Sequence, residues 1–271
     1  MTAQDFEFVC RLVRERSAIV LEPGKEYLVE GRLTPVARQL GLGSVSGLVG
    51  RLREAPENGL AALVVEAMVT TETSFFRDHH PFEALRTAVL PDLIRLRAGE
   101  RRLDVWCAAC STGQEPYSFA LLLREHFPNL AGWQVSVLAT DLSGAALGRA
   151  REGRYTQMEV NRGLPAALLA RYFRQHGSNW ELSEDVRKMV EFRGLNLARA
   201  WPILPRMDLI FLRNVMIYFD PETKKSILSR VARLLRPGGY LLLGGAETTL
   251  NLDDSFRRVE NLKGGFYQLV G

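Results

Sequence analysis

Val105-Trp-Cys-Ala-Ala-Cys-Ser-Thr-Gly-Gln-Glu-Pro-Tyr-Ser118 runs from an apolar strand through a loop of small residues only and into a helix. A passage of this kind offers bare backbone to a ligand. Small side chains let the ligand approach closely, and the start of the helix presents N–H groups that have no intrahelical partner. Rossmann-type sheets bind nucleotides at such a strand-to-helix turn. The next apolar run, Gln134 to Thr140, ends on Asp141, where such folds set a carboxylate against ribose hydroxyls. Asp141 also suits a helix N-cap, a part that Ser143 can fill instead. The full Gly-x-Gly-x-x-Gly pattern is absent, since Ala109 and Cys110 stand where glycines could be, so the loop and the acid are read as a pair.

Outward from this stretch, apolar segments alternate with helical ones. Strands are predicted at 103–107, 135–140, 209–212 and 240–243, and helices at 115–127, 143–151 and 221–235. Alternation of that kind argues for a parallel α/β sheet. Arg236-Pro-Gly-Gly239 reads as a tight turn before a strand, and 265–270 as a last strand that closes the sheet with an antiparallel hairpin. Residues 1–78 read as a helical domain with a hinge. Phe6, Val9, Cys10 and Val13 share one helix side, Leu33, Val36, Ala37 and Leu40 repeat at helical spacing, and Gly41, Gly43 and Gly47 punctuate. Residues 79–271 form the second domain. Within it, 153–192 lose the helical period and read as an inserted subdomain, a place where specificity is often carried.

The composition is that of an ordinary globular protein, and 271 residues can bury one large core or two smaller ones. No apolar run reaches the roughly 18 residues of a membrane span, and the first residues lack the pattern of a secretion signal, so a cytoplasmic protein with no membrane insertion is expected. Cys10, Cys107 and Cys110 are too few for a disulfide scaffold. The Cys107/Cys110 pair has no second pair to complete a zinc site, and no metal is expected. Net charge is +4, with acids interleaved; the local excesses Arg95, Arg97, Arg101 and Arg102, and Arg149, Arg151 and Arg154, read as solvated faces or as contacts to an acidic surface.

Taken in order, Thr71-Glu-Thr-Ser-Phe-Phe-Arg-Asp78, Trp106 to Ser118, Ala139-Thr-Asp-Leu142, Phe211-Leu-Arg-Asn-Val-Met-Ile-Tyr-Phe-Asp220 and Leu235-Arg-Pro-Gly-Gly-Tyr240 resemble the CheR family over nearly the whole chain. That family comprises chemotaxis receptor methyltransferases, which esterify receptor glutamates with S-adenosylmethionine and release S-adenosylhomocysteine. The resemblance implies a Rossmann-like class I methyltransferase sheet, an N-terminal helical domain and an inserted small β subdomain. It also implies that Thr71, Thr73 and Arg77 reach the cofactor from the hinge, that Glu115 and Asp141 hold its amino and ribose groups, and that Asn196 and Leu197 flank the adenine. Arg213, Asn214 and Tyr218 would lie near the departing methyl group, with Arg77 across from them. Arg77, Arg213 and Tyr218 are the candidates for catalysis. The implied partner is the cytoplasmic helical bundle of a chemoreceptor.

The chain departs from the family pattern at Gln114, where glutamate is frequent, at Thr71, where asparagine is common, and at Gly244-Gly-Ala-Glu247, where Gly-His-Ser-Glu is typical. The short stretch Gln175 to Leu182 argues against a tether formed by a receptor's C-terminal pentapeptide. Three rival readings remain. A nucleic-acid base methyltransferase would carry an Asn/Asp-Pro-Pro-Tyr-like turn, but Leu212-Arg-Asn-Val215 stands there and no basic, aromatic groove accompanies it, so no nucleic acid is expected. A cofactor-gated binding module with weak or no turnover is the second, and methyl transfer to a different acceptor the third; retention of Arg77, Asp141, Arg213 and Tyr218 argues against decay.

Overall fold

Thr2 opens the first helix with a capping box. Its hydroxyl accepts from the Asp5 N–H and the Asp5 carboxylate accepts from the Thr2 N–H, so two otherwise unpaired donors are satisfied. The computed structural model describes residues 1–54 and 59–270. The chain divides into two units, Met1–Thr70 with Tyr218–Thr223, and Thr71–Ile217 with Lys224–Gly271.

The first unit is helical: α1 (Ala3–Ser17), α2 (Glu26–Gln39), α3 (Val45–Glu54) and α4 (Gly59–Met68). Each turns one apolar stripe inward, with Val9 and Val13 of α1, Val29 and Leu33 of α2, Leu48 and Val49 of α3 and Val64 of α4 wholly buried. Arg32 donates to the Met68 carbonyl and to the Thr70 hydroxyl, placing a cation on the C-terminal end of α4. The 218–223 segment joins this unit through a bridge between Ile19 and Phe219 and an Arg14–Asp220 ion pair of 3.2 Å. Gly41 ends α2 with φ +71°, as a punctuating glycine should, whereas Gly47 lies inside α3.

The second unit begins with α5 (His80–Ala84), which passes through a π-helical turn at Leu85–Val89 into α6 (Leu90–Leu96). The sheet elements follow as β1 (Arg102–Ala108), α7 (Gln114–His126), β2 (Gln134–Asp141) and α8 (Gly144–Glu152). An insertion comes next: β3 (Arg154–Thr156), α9 (Gln157–Asn161), α10 (Ala166–Tyr172), β4 (Phe173–His176), β5 (Asn179–Leu182) and α11 (Glu184–Arg187). The chain then returns through β6 (Val190–Gly194), β7 (Met207–Leu212), α12 (Pro221–Leu234), β8 (Leu235–Leu243), β9 (Phe256–Arg258) and β10 (Phe266–Leu269).

The large sheet runs in the order β6-β2-β1-β7-β8-β10-β9. The first five strands are parallel, while β10 is antiparallel to both β8 and β9, which gives the closing hairpin. From β1 the chain builds outward to β2 and β6, then crosses to β7 on the other side. The order therefore reverses beside β1, and ligands of open α/β sheets bind at the carboxyl ends of the strands at that switch point. Residues 103–108 of β1 are buried, and so is α7 from Gln114 through Leu123, so the loop joining them is anchored at both ends.

The insertion carries the small antiparallel sheet β3-β5-β4, with three short helices that loss of period did not reveal. Phe75 joins it through edge-on contacts with Tyr155 and Phe173, at centroid distances of 4.9 and 5.7 Å. It ends earlier than the expected residue 192. Val190 and Phe192 already face inward from β6, paired in register with β2.

Arg95, Arg101, Arg149, Arg151 and Arg154 are exposed, as solvated faces would be, and Arg97 is the residue that departs from that reading. Arg97 is buried; its Nε donates to Asp208 Oδ1 at 2.6 Å and its Nη2 to the Pro237 carbonyl at 2.8 Å. Asp208 is the second residue of β7, a strand buried throughout, and a carboxylate there needs a cation and an N–H to offset its desolvation. The Asp104 N–H supplies the latter at 2.9 Å. Arg149 pairs with Glu159, Arg154 with Glu181, and Arg151 donates to the Phe192 carbonyl, so these three hold the insertion and β6 to their neighbours.

Candidate active site

The loop after β1 is wound tightly, with Ala109 at φ +54°, Ser111 at +52° and Gly113 at +92°. Positive φ in residues bearing a Cβ costs of order 1 kcal/mol or more each and persists only where the surroundings impose it. Here they do. Cys110 N–H donates to the Thr140 carbonyl, Ser111 N–H to Asp141 Oδ2 at 2.7 Å, and the Ser111 hydroxyl to the Thr71 carbonyl at 2.6 Å. Gly113 is the N-cap of α7, and a Cβ there would stand 3.0 Å from the Ala150 methyl and 3.2 Å from the Tyr117 ring. The Tyr155 hydroxyl, from the insertion, donates to the Thr112 carbonyl. Cys107 and Cys110 are buried fillers beneath the loop, and burial pushes both thiols well up, away from the thiolate that a metal would require. Among the described residues no group of His, Cys, Asp or Glu could hold a metal ion.

Asp141, at the end of β2, joins this loop to the next. Its Oδ1 accepts from the Ser143 N–H at 2.9 Å, and Ser143, not Asp141, caps α8 through the Ala146 N–H. The two backbone bonds named here fix the orientation of the carboxylate at the end of β2. The Leu195 N–H donates to the Asp141 carbonyl, which draws Asn196 and Leu197 alongside the end of β2. Asn196 Oδ1 accepts from the Ala198 N–H. Trp201 Nε1 donates to the Leu197 carbonyl, which also accepts from Arg230 at 2.7 Å. Arg230 lies 4.3 Å from the Trp201 ring centre, and Trp201 meets Trp106 edge-on. Trp201 and Arg230 thus frame the expected adenine-flanking segment; neither was singled out in the sequence, where only their type gives a hint.

A second cluster surrounds Arg213, at the end of β7. Its side chain is 1% exposed, and its Nη1 donates to Glu115 Oε2 at 2.7 Å. Nη2 donates to Asp78 Oδ2 at 2.8 Å and to the Arg77 carbonyl at 3.1 Å. Burial raises the Glu115 carboxyl above its ordinary range, opposed by the charge and hydrogen bond of Arg213. Phe76, Asp78 and His79 all have positive φ, so the segment that brings Asp78 to Arg213 is strained. Arg77 itself is only half-buried, and its Nη1 donates to the Glu72 carbonyl at 3.2 Å. Thr71 is exposed and Thr73 half-buried. Asn214, next to Arg213, adopts φ +57°, and its N–H donates to Glu247.

Glu115, Arg213 and the Arg77–Asp78 backbone therefore come together in one cluster, and Asp141, Asn196 and Leu197 in another, with the small-residue loop running from β1 to the start of α7. Tyr218 lies in the segment grouped with the helical unit, where its carbonyl accepts from the Val20 N–H.

A mostly parallel seven-stranded sheet with its order reversed at β1 and an antiparallel β10 beside β8 defines a Rossmann-like, class I methyltransferase. Residues 71–264 match the CheR methyltransferase SAM binding domain, and residues 4–68 match the CheR methyltransferase all-alpha domain. The chain belongs to the CheR family and is an S-adenosylmethionine-dependent methyltransferase. It is 42% identical to chemotaxis protein methyltransferase 1 of Pseudomonas aeruginosa, over 97% of each chain. Identity to chemotaxis protein methyltransferase Cher2 of Pseudomonas putida is 40%, again over 97% of each chain. Chemotaxis protein methyltransferase 1 of Vibrio cholerae is 37% identical over 98% of this chain and 97% of its own length. Among the described residues, no helix is long and apolar enough to cross a membrane.

Replacing Asp141 with alanine removes the acceptor for both Ser111 and Ser143 N–H groups. Affinity for S-adenosylhomocysteine should fall by about 1–3 kcal/mol, the scale for stranding hydrogen-bonded groups. Calorimetric titration showing an unchanged Kd would remove Asp141 from the cofactor site.

Proposed function

We propose that the protein transfers the methyl group of S-adenosylmethionine to glutamate side-chain carboxylates in the cytoplasmic helical bundle of chemoreceptors. The observation that carries this reading is the likeness, over nearly the whole length of both chains, to chemotaxis protein methyltransferases. The two arginines at the hinge and at the end of β7 are in keeping with a carboxylate acceptor, because a guanidinium stays charged and can hold a carboxylate through paired N–H groups.

When bound, the cofactor supplies an electrophilic methyl on a sulfonium, open to in-line displacement by an oxygen lone pair. A glutamate acceptor, with a pKa near 4.3, is already ionised at neutral pH, so no side chain of this chain needs to remove a proton. The residues' task is alignment and exclusion of water, worth up to about 7–11 kcal/mol in favourable systems. In this reading Asp141 holds the ribose, Glu115 the amino group, Asn196 and Leu197 the adenine, and Thr71, Thr73 and Asn214 line the remainder. The two arginines divide the work. Arg213, buried and bonded to Glu115, Asp78 and the Arg77 carbonyl, organises the site. Arg77, half-buried and bonded to one backbone carbonyl, is the arginine assigned to the acceptor carboxylate. The short β4–β5 hairpin of the insertion is in keeping with recognition of the receptor bundle without a C-terminal pentapeptide tether.

Arg77→Ala should lower kcat/KM for a receptor cytoplasmic fragment by about 100-fold, the scale of a misplaced reacting group. It should leave the Kd of S-adenosylhomocysteine within about threefold of the parent, as expected for an interaction made chiefly with the acceptor. A loss confined to cofactor affinity would assign Arg77 to the cofactor alone.

A further inference from the structure

Glu247 follows β8 at the end of Gly244-Gly-Ala-Glu247, and it is 8% exposed. Its carboxylate accepts four backbone N–H groups. Oε2 takes Asn214 at 2.7 Å and Gly244 at 2.8 Å, while Oε1 takes Val215 at 2.9 Å and Met216 at 2.8 Å. Three of these donors are consecutive residues directly after Arg213, in the loop that leaves the end of β7.

Such a loop has no helix or sheet ladder to satisfy those N–H groups. Without an acceptor they would be free to turn toward water or a ligand, and the φ of +57° at Asn214 would lose what imposes it. The packing shows how closely the arrangement is drawn. A Cβ at Gly244 would stand 2.7 Å from Glu247 Oε2, 2.8 Å from Asn214 Nδ2 and 2.9 Å from Asn214 N, so only glycine admits both the carboxylate and the asparagine.

We infer that Glu247 is a positioning residue for methyl transfer: its carboxylate fixes the Asn214–Met216 backbone and thereby aims Asn214 and the end of β7 at the reacting groups. The inference rests on the reading that Arg213 and Asn214 belong to the methyl-transfer site. It requires two acceptor oxygens to serve two pairs of donors; an amide of the same shape would set its NH2 against one pair.

Two variants test it. Glu247→Gln keeps the shape and loses two acceptor bonds, and Gly244→Ala keeps the carboxylate and displaces it. Each is assayed with labelled S-adenosylmethionine and a receptor fragment, at a temperature where circular dichroism shows the variant fully folded. Both should lose about 10- to 100-fold in kcat, the scale of a displacement near 1 Å. The amide proton resonances of Asn214, Val215 and Met216 should move in parallel. A folded Glu247→Gln protein with kcat within about twofold of the parent would show a carboxylate that only stabilises the fold. Should Glu247→Gln not fold, Gly244→Ala decides on the same criterion. Asn214→Ala and Arg213→Ala, measured alongside, keep the two claims apart: unchanged turnover in both would remove the site reading itself.

Discussion

Arg213→Ala should destabilise the protein by about 3–5 kcal/mol, the scale for removing one partner of a buried ion pair, besides depressing turnover more than cofactor affinity. Arg213 is the group that offsets the burial of Glu115, and it also binds Asp78 and the Arg77 carbonyl. Without it the Glu115 carboxylate is stranded and takes up a proton more readily. The pH dependence has a definite sign. The Glu115 carboxyl is already raised from 4.5 in the folded protein, and loss of Arg213 raises it further. A raised acid favours the folded state while protonated, below its unfolded value, and that contribution is lost as pH rises through the folded value. The deficit of Arg213→Ala relative to the parent should therefore be smaller near pH 5 than near pH 8, as linkage requires. Urea denaturation at the two pH values measures it. An equal deficit at both would mean that Glu115 does not depend on Arg213 for its charge.

Asp208→Ala carries the second large effect, and it concerns the fold. The carboxylate is wholly buried and accepts from Arg97 and the Asp104 N–H, with Arg236 Nη1 at 3.5 Å. Removing it leaves a buried guanidinium and an unpaired N–H between β1 and β7, at a cost of about 3–5 kcal/mol. Replacing both partners, as in Arg97→Met with Asp208→Leu, should cost clearly less, since no stranded charge remains. Thermal denaturation of the single and double variants forms the cycle. A double variant as unstable as the sum of the singles would show that the two groups act independently.

The parts of the fold legible in the sequence are those set by local pattern. β1, the small-residue loop, α7 and β2 stand out because apolar runs end in small residues and an acid, and the ends of β1 and β2 fall within about two residues of the expected ones. β8 differs: it begins at Leu235, before the expected 240, and the 236–239 stretch read as a turn lies inside it, as an irregularity in the pairing with β7. The helices at 80–96 were not legible because α5 and α6 are each short, with a proline in the first turn, and the π-helical turn between them breaks the 3.6 period. β6 was hidden because Val190-Glu-Phe-Arg-Gly194 is an edge strand, with Val190 and Phe192 inward and polar residues outward, next to an insertion of similar composition. Arg97 could not be placed from the sequence, because its partner Asp208 lies 111 residues away.

The candidate site divides the same way. Asp141 and the loop that it holds follow from the Rossmann-like pattern, and Ser143 proves to be the cap that leaves Asp141 to the loop. Asp78 and Glu247 stand in recognisable motifs but their partners do not follow from them, and Trp201 and Arg230 carry no signal of their own, because each acts through groups brought near only by the sheet. The sequence motif Arg213-Asn214 names two residues of the site but not the carboxylate, 33 positions on, that fixes the second.

Incubation of the protein with methyl-labelled S-adenosylmethionine and a chemoreceptor cytoplasmic fragment, followed by alkali, distinguishes a glutamate acceptor from any other. A glutamate methyl ester predicts label on the receptor that leaves as volatile methanol. Label that withstands alkali, or no label from protein that demonstrably binds the cofactor, would contradict glutamate esterification and point to another acceptor or to a role in binding alone.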